Sequence, residues 1–220
     1  MTATRPVVAV VDYGIGNLHS ASKALERAGA AVVVSSDPRV IASAGAVVLP
    51  GVGAMGRCIE SLDHYGLRAA IADVALSGRP FLGICVGMQM LHDGSEENGG
   101  VAGLGLIPGT VRKITGNVKL PQMQWNVVSA VPGRSPALLD SLSEPWMYFV
   151  HSFAPELHEY VVGTCDYGGP VGAIVERGSI MGTQFHPEKS SVSGLACSPT
   201  SCRCPLRSPV VADDGPLSSD

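Results

Sequence analysis

The chain has 220 residues, a net charge of −4, 15% charged residues and 45% hydrophobic residues. This length suffices for one large domain with a complete core, and few charges among many apolar residues are typical of strands buried on both faces. The sequence has no basic block, which excludes charge-driven binding to nucleic acid or to membrane surfaces. It also has no apolar run of the ~20 residues that a membrane helix needs, and residues 1–6 do not resemble a signal peptide. We therefore expect a cytoplasmic protein.

The first half of the chain alternates apolar strands with helices. Strands are predicted over residues 7–11, 31–34, 46–49 and 80–84. Helices are predicted from residue 17 or 20 to residue 28, after Asp37, over residues 54–64 and 67–76, and over residues 86–91. Asp37 is the expected N-cap of the second helix, with Pro38 at its first position. This alternation predicts an α/β fold with a doubly wound, mostly parallel sheet.

Cys85 lies between the fourth strand and the next helix, with Gly83 and Gly87 two positions away on either side. The pattern G-x-C-x-G is the cysteine form of the nucleophile elbow, in which a strand turns sharply into a helix at one strained residue. Side chains at the two glycine positions would collide in such a turn. The start of a helix also favours the thiolate form of cysteine. A buried cysteine in a glycine-rich turn is the alternative, but the strand-to-helix context favours a nucleophile.

Three loops follow the ends of predicted parallel strands: residues 12–17, residues 50–54 and the turn at Cys85. Ligands bind outside the carboxyl ends of the strands in such sheets. We therefore expect the three loops to converge on one active site. A phosphate-binding loop is the alternative for residues 12–17, but the third glycine of G-x-G-x-x-G is missing there.

The second half of the chain is predicted to be antiparallel and rich in hairpins. A polar loop is expected at residues 93–103. Short strands are expected over residues 110–114, 126–130, 146–150, 160–165, 171–176 and 180–185. Arg177 and Gly178 are predicted to form the turn of the last hairpin.

A cysteine nucleophile needs a base and a group that orients the base. Of the six histidines, His151 and His186 fall at predicted strand ends. Pro187 favours an extended conformation at His186, and side chains two residues apart in an extended segment point the same way. His186 and Glu188 are therefore the candidate base and its orienting carboxylate. A loop histidine beside an exposed glutamate is the alternative.

Several motifs, in matching order and spacing, resemble the class I (triad) glutamine amidotransferases. They include the Cys85 elbow followed by Met88 and Gln89, and H-P-E at residues 186–188, about 100 residues later. Within that family, four further motifs are most similar to the glutaminase subunits of imidazole glycerol phosphate synthases: D-Y-G-I-G-N (12–17), P-G-V-G-A (50–54), L-P-Q-M-Q-W-N (120–126) and F-V-H-S (149–152). The resemblance covers about residues 6–195. It implies a flavodoxin-like α/β fold with an antiparallel, hairpin-rich C-terminal half.

The resemblance also implies a chemistry and a set of site residues. Cys85 would attack the side-chain amide of glutamine, His186 would transfer the proton and Glu188 would orient the imidazole. The oxyanion would be held by backbone N–H groups, which by position belong to Val86 and to Gly51 or Val52. The substrate contacts that carry over by position are Gln89, Glu97, His151 and Ser152. The resemblance implies no metal and no cofactor.

A partner protein is implied as well. Ammonia released into water is mostly protonated, so the chain is expected to dock on a cyclase subunit that makes imidazole glycerol phosphate and the by-product AICAR. In this family the cyclase subunit resembles a TIM barrel, and the docking face should be the edge that carries the active site. The interface candidates are Asn17, Met123, Trp125 and Lys189. Exposed aromatic residues favour interfaces, and a place in the core is the alternative for Met123 and Trp125.

The chain departs from the family after residue 195. The family continues with an apolar helix, whereas residues 196–220 are polar and interrupted by prolines. We expect one domain over residues 1–195 followed by a disordered tail, and we hypothesise that a reading-frame shift replaced the original C-terminus. A metal site in the tail is the alternative, but it lacks a fourth ligand beside Cys197, Cys202 and Cys204.

Two other functions stay open on the residues alone. One is a stand-alone cysteine hydrolase on a similar sheet, against which Gln89 and the loop at residues 50–54 argue. The other is a catalytically silent scaffold subunit, because the altered C-terminus could disable the chain.

Overall fold

The computed structural model describes residues 7–140 and 142–196. The predictions for residues 1–6 and for the tail beyond residue 196, including its three cysteines, lie outside these described residues. Residue 196, which the sequence assigned to the tail, is helical together with residues 191–195.

The helices of the first half follow the predicted order. They are α1 (Leu18–Arg27), α2 (Pro38–Ser43), α3 (Met55–His64), α4 (Arg68–Leu76) and the single-turn α5 (Val86–Gln89). The strands are β1 (Val7–Val11), β2 (Ala31–Ser35), β3 (Ala46–Gly51), β4 (Phe81–Cys85), β5 (Gly94–Ser95), β6 (Val101–Ala102), β7 (Thr110–Lys113), β8 (Gln122–Val127), β9 (Ser129–Ala130), β10 (Trp146–His151), β11 (Phe153–Pro155), β12 (Val161–Asp166), β13 (Pro170–Arg177) and β14 (Ile180–Thr183).

The main sheet has eight strands in the order β2-β1-β3-β4-β14-β13-β12-β9. The first five of these strands are mutually parallel, and β13, β12 and β9 continue the sheet in antiparallel pairing. This confirms the predicted α/β fold with a mostly parallel sheet and an antiparallel C-terminal half. The division does not fall at mid-chain, however, because β14 comes from the second half and still pairs in parallel with β4.

Two smaller sheets complete the described chain. Strands β8 and β10 form an antiparallel pair, and β11, β7, β5 and β6 form a second sheet. Strands β5 and β6 lie within the polar loop that was predicted at residues 93–103. Each strand has only two residues, which is too short to show the alternation of apolar and polar residues that predicts a strand. Strand β8 begins four residues before the predicted start, because Gln122 is buried while Met123 and Trp125 are exposed. A half-buried strand is normally recognised by alternating residues of which the apolar ones are buried, whereas here the polar residue is buried and the apolar ones are exposed.

The core joins the sheets through large buried side chains. Strand β3 is buried along its whole length, as expected of a parallel strand covered on both faces. Helix α5 packs on β3, β4 and β14, and α2 packs against α4. Phe149 of β10 and Phe185 after β14 meet edge to face with ring centroids 5.7 Å apart, and both are fully buried. This ring pair attaches the β8–β10 sheet to the main sheet.

The carboxyl ends of β1, β3 and β4 meet at one edge of the main sheet, as predicted. Gly51 at the end of β3 is the register partner of Cys85 at the end of β4. The loop after β1 reaches the end of β3 through the hydroxyl of Tyr13, which donates a 2.6 Å hydrogen bond to the carbonyl of Pro50. The three glycine-rich loops therefore lie together.

Two glycines allow the turn from β4 into α5 to lie against β3. A Cβ atom on Gly87 would overlap the carbonyl oxygen of Leu49, and a Cβ atom on Gly83 would lie 2.8 Å from the backbone of Gly87 and Met88. Gly51 approaches the same turn, since its added Cβ would lie 2.5 Å from the nitrogen of Gly87. The collision expected from the G-x-C-x-G pattern is thus a backbone contact that no side-chain movement can relieve.

This contact predicts a large difference between two glycines that both lie in helices. Gly87→Ala should lower the free energy of unfolding by about 3 kcal/mol, because β3 or α5 must shift to admit the methyl group. Gly56→Ala in α3 is the control, since its nearest neighbour lies 3.9 Å from the added Cβ, and it should be neutral or stabilising by up to about 1 kcal/mol. Urea unfolding of both variants measures the difference, and equal midpoints would contradict the packing described for α5.

Candidate active site

A cavity of about 450 Å³ opens at the carboxyl edge of the sheet, where the three loops meet. The predicted nucleophile, the predicted base and all four predicted substrate contacts line it, and so do residues of the loop after β3. These lining residues include Val52, Cys85, Val86, Gln89, Glu97, His151, Ser152, His186 and Lys189. One cavity therefore brings together residues from both halves of the chain.

Cys85 occupies the strained position that the elbow pattern predicts. Its φ of 55° and ψ of −113° fall outside the regions that a side chain normally allows. Such strain persists only where the surroundings enforce it, and it is concentrated at functional sites. The backbone contacts of Gly51, Gly83 and Gly87 provide that enforcement here.

His186 and Glu188 form a buried pair on one side of Cys85. Nδ1 of His186 lies 2.8 Å from Oε1 of Glu188, and both side chains are almost wholly buried. Residues 187–189 form a 3-10 turn. The two side chains therefore meet across a turn, and the expectation of one extended segment was wrong for the residues after His186.

The protonation of His186 is set by opposing effects. Burial disfavours the imidazolium, but hydrogen bonds and charges from Cys85 and Glu188 outweigh it and raise the pKa of His186 to about 9. Because Glu188 is bonded to Nδ1, the other ring nitrogen is left to serve Cys85. This is the arrangement in which a third group orients the base of a nucleophile.

Ser190 holds the backbone of the base in place, although it was not predicted as a site residue. Its hydroxyl donates to the carbonyl of His186 at 2.6 Å and accepts from the N–H of Tyr148 at 3.0 Å. The N–H of His186 donates in turn to the carbonyl of Tyr148 at 3.0 Å. Ser190 is fully buried, and a serine in a polar loop carries no sequence signal for such a position.

Residues 9–194 match the family described as "Glutamine amidotransferase class-I". Among curated relatives, the "Imidazole glycerol phosphate synthase subunit HisH" of Moorella thermoacetica is 47% identical over 194 residues, which cover 87% of this chain and 91% of that protein. This chain belongs to the class-I glutamine amidotransferase family. The subunit of the same name from Acaryochloris marina is 45% identical over 195 residues, covering 86% of this chain and 91% of that protein.

Solved structures of low sequence identity share the fold of this class-I glutamine amidotransferase. A structure titled "Crystal structure of glutamine amidotransferase" superposes with a TM-score of 0.71 at 16% identity, covering 90% of this chain and 98% of that one. "Structure of PurLQS from Thermotoga maritima" gives a TM-score of 0.67 at 20% identity, covering 92% of this chain and 98% of that one. These likenesses support the α/β fold only.

The loop after β3 in this amidotransferase is anchored by two buried side chains. Tyr13 binds the carbonyl of Pro50, and the thiol of Cys58 donates to the carbonyl of Val52 at 3.3 Å. Neither hydrogen bond fixes the peptide between Gly51 and Val52, which lies between the anchored ones. Tyr13 and Cys58 were not singled out in the sequence, because each reads as an ordinary core residue.

The predicted substrate contacts line the cavity and are held by the protein. Gln89 donates to the carbonyl of Phe153 at 2.9 Å, and a carboxylate oxygen of Glu97 accepts from the N–H of Met55 at 2.8 Å. His151 also contacts the Phe153 carbonyl, with Nδ1 2.8 Å away. Ser152 is half-buried at the cavity wall.

The predicted interface residues lie around the same edge with different exposure. Met123 and Trp125 are 65% and 45% exposed, so the core alternative for them is wrong. Lys189 is exposed at the cavity rim, and Asn17 is half-buried at the N-cap of α1 without a capping side-chain bond. Helix α1, which begins directly after Asn17, contacts residues 187–189.

In the part of the chain that the structure describes, no group of three or more histidine, cysteine or acidic side chains could hold a metal ion. None of the described helices is long and apolar enough to cross a membrane.

His151 makes the stability of the fold sensitive to acid. Burial lowers the pKa of His151 to about 4, and the nearby charge of His186 acts in the same direction. A histidine in the unfolded chain has a pKa of about 6.5. Between about pH 4 and pH 6.5 the unfolded state therefore binds more protons than the folded state. The free energy of unfolding should therefore fall as the pH drops from about 6.5 to about 4.

His151→Asn should remove this part of the acid sensitivity and keep a donor for the Phe153 carbonyl. Between pH 7 and pH 4.5 the variant should lose about 2 kcal/mol less stability than the unaltered chain, measured by urea unfolding. His19→Asn, at an exposed position on α1, is the control and should keep the original pH dependence. An unchanged slope in His151→Asn would contradict the assignment.

Proposed function

We propose that this chain is the glutaminase subunit of an imidazole glycerol phosphate synthase, hydrolysing glutamine and delivering ammonia to a cyclase subunit. The observation that carries the proposal is the strained Cys85 beside the buried His186–Glu188 pair in one cavity. The name shared by the relatives at 45% and 47% identity supports the assignment to this synthase within the family.

The proposed reaction proceeds through a thioester. The raised pKa of His186 fits a ring that has accepted the proton of Cys85, so the sulfur attacks the side-chain carbonyl carbon of glutamine as a thiolate. The C–N bond breaks as His186 returns the proton to the leaving nitrogen, and ammonia departs. Water then gives a proton to His186 and attacks the thioester, which releases glutamate and restores the thiolate–imidazolium pair. Glu188 keeps the ring oriented through both steps.

The negative charge on the tetrahedral oxygen needs preorganised donors. We assign one to the N–H of Val86, which directly follows the nucleophile, and the other to Gly51 or Val52. Each such donor contributes roughly 3–4 kcal/mol to the transition state. Tyr13 and Cys58 anchor the carbonyls of Pro50 and Val52, so only the central peptide needs to turn to complete or break the oxyanion site.

The cavity suits the amino-acid end of glutamine. Glu97 offers a carboxylate that complements the α-ammonium group. Ser152 and Gln89 offer polar atoms at the wall. His151 is neutral at pH 7, since burial lowers its pKa to about 4, and its Nε2 atom has no hydrogen-bond partner among the described residues. We propose that these four side chains bind the substrate.

Ammonia must leave without meeting bulk water, and an apolar face beside the cavity suits the docking of a partner. We define the docking face as Met123, Trp125, Trp146 and Tyr148, which lie on one side of the β8–β10 pair according to its register. Trp125 and Tyr148 contact each other with ring centroids 6.0 Å apart. Val150, on the same side of β10, lines the cavity, so the face runs to its mouth. Asn17 and Lys189 would complete the interface.

The proposed triad predicts that substitution of its members sharply reduces glutamine hydrolysis. Glutamate release is measured with the purified chain alone, and then with the cyclase subunit and its nucleotide ligand. Activity should be low alone and rise strongly in the complex. Cys85→Ala should abolish it, and Glu188→Gln should lower kcat about 100-fold or more, because the ring loses its orienting charge. Cys165→Ala, at a buried thiol outside the cavity, should retain full activity.

The same assay separates the competing functions. A glutamine-mimicking chloroketone should label Cys85, and a folded chain that is not labelled would be the silent scaffold. Hydrolysis of amides other than glutamine, independent of any partner, would indicate a stand-alone hydrolase. Equal activity of Cys85→Ala and the unaltered chain would contradict the proposed nucleophile.

The docking face predicts which substitution weakens the complex. Trp125→Ala should raise the Kd for the cyclase subunit about 30-fold, because exposed tryptophans at interface centres are frequent binding hot spots. Leu76→Ala is the control: Leu76 is 69% exposed but ends α4, at the opposite edge of the sheet. Calorimetric titration measures both. The proposed face would be wrong if the Leu76 variant bound as weakly as the Trp125 variant.

A further inference from the structure

A chain of buried amides leads from the cavity wall to the sulfur of Cys85. Nε2 of Gln89 donates to the carbonyl of Phe153 at 2.9 Å and to Oε1 of Gln184 at 3.0 Å. Nε2 of Gln184 lies 3.8 Å from Sγ of Cys85 and donates to it. Gln184 has no solvent exposure, so water does not compete for its amide.

The orientation of the Gln184 amide follows from its partners. A backbone carbonyl can only accept, so the group of Gln89 that faces Phe153 must be the NH₂. That NH₂ also faces Gln184, which therefore turns its oxygen towards Gln89 and its own NH₂ towards the sulfur. An amide whose nitrogen and oxygen could otherwise be exchanged is thus fixed by the Phe153 carbonyl.

Gln184 and His186 reach the same sulfur from the segment that follows β14. The backbone bends at residues 184 and 185, and His186 after the bend is extended, with φ of −101° and ψ of 96°. Nε2 of Gln184 lies 3.8 Å from the sulfur, and the side chain of His186 is also hydrogen-bonded to Cys85. Phe185 between them packs against Phe149 instead.

We propose that Gln184 is a catalytic residue that donates a hydrogen bond to the thiolate of Cys85, beside the imidazolium of His186. A neutral amide stabilises the negative sulfur without adding a charge that would compete with His186. It also holds the sulfur in one position for attack into the cavity. The inference rests on the proposed function only in taking Cys85 as the nucleophile.

A second buried amide lies beside a thiol, and no histidine among the described residues is hydrogen-bonded to that sulfur. Gln122 is also fully buried, and its Nε2 donates to the sulfur of Cys165 at 3.6 Å. Burial raises the pKa of Cys165 to about 11, although the Gln122 bond acts in the opposite direction. Neither residue lines the cavity. An amide donor alone therefore does not create a nucleophile. Gln122, whose Oε1 has no hydrogen-bond partner among the described residues, serves as a control for the loss of a buried amide beside a thiol.

The test is the pH dependence of Cys85 alkylation by iodoacetamide, a neutral reagent that reacts with the thiolate. Because the chain has six cysteines, the reaction is followed by mass spectrometry on the peptide that carries Cys85. Gln184→Met keeps the shape and removes the donor. Gln184→Glu still accepts from Gln89 but turns an oxygen towards the sulfur.

Both variants should raise the midpoint of Cys85 alkylation by about one pH unit, which is about 10-fold slower reaction below the midpoint. The shift should be at least as large in Gln184→Glu as in Gln184→Met. Gln122→Met should leave the Cys85 midpoint unchanged. An unchanged midpoint in both Gln184 variants, with circular dichroism showing a folded chain, would overturn the proposal.

A second measurement needs no substitution and keeps the proposal open to refutation if the variants do not fold. In the ¹⁵N-labelled unaltered chain, the side-chain amide resonances of Gln184 should shift with the midpoint of Cys85 alkylation, and resonances that stay fixed would overturn the proposal. Neither experiment uses glutamine or a cyclase. A shifted midpoint without glutamine hydrolysis would therefore refute the proposed function alone, and hydrolysis with an unshifted midpoint would refute the role of Gln184 alone.

Discussion

The contact between the backbone of α5 and the end of β3 is the constraint on which the site depends. Gly87 allows the first turn of α5 to lie directly against the carbonyl of Leu49, with no room for a methyl group. This contact forces β4 to turn at Cys85 with a positive φ, a conformation that cysteine would not adopt freely. The strain is therefore supported by the packing of the sheet, and the sulfur has a fixed position before any substrate binds.

The pairing of β14 with β4 positions His186, just as the contact between α5 and β3 positions Cys85. Thr183 is the register partner of Ile84, one residue before the nucleophile, and His186 follows three residues after Thr183. A slip of this pairing by one residue would reverse the side that each side chain faces and would separate Gln184 and His186 from the sulfur. Nucleophile and base come from neighbouring parallel strands about 100 residues apart in sequence, so their geometry depends on one ladder of hydrogen bonds.

The sequence predicted the parts of the site that depend on local rules. The glycine spacing around Cys85 predicted the elbow, and Pro187 predicted an extended His186. The sequence did not predict that β14 would pair in parallel with β4, because pairing partners of distant strands leave no local pattern. Gln184 and Ser190 escaped notice for a related reason: a buried polar side chain is recognised by its partners, and these lie 99 and 42 residues away in sequence.

The inverted pattern of β8 shows why the strand under the proposed docking face was harder to predict than the triad. A strand that buries glutamine and exposes methionine and tryptophan leaves an apolar surface of the kind that marks interaction sites. Strand β10 completes this face with the side chain of Tyr148. The backbone carbonyl of Tyr148 accepts a hydrogen bond from the N–H of His186. The N–H of Tyr148 donates to the hydroxyl of Ser190, which donates in turn to the carbonyl of His186. These bonds hold the base against the backbone of β10. The proposed docking surface and the base therefore contact the same strand, and three hydrogen bonds join Tyr148 of that strand to His186 and Ser190.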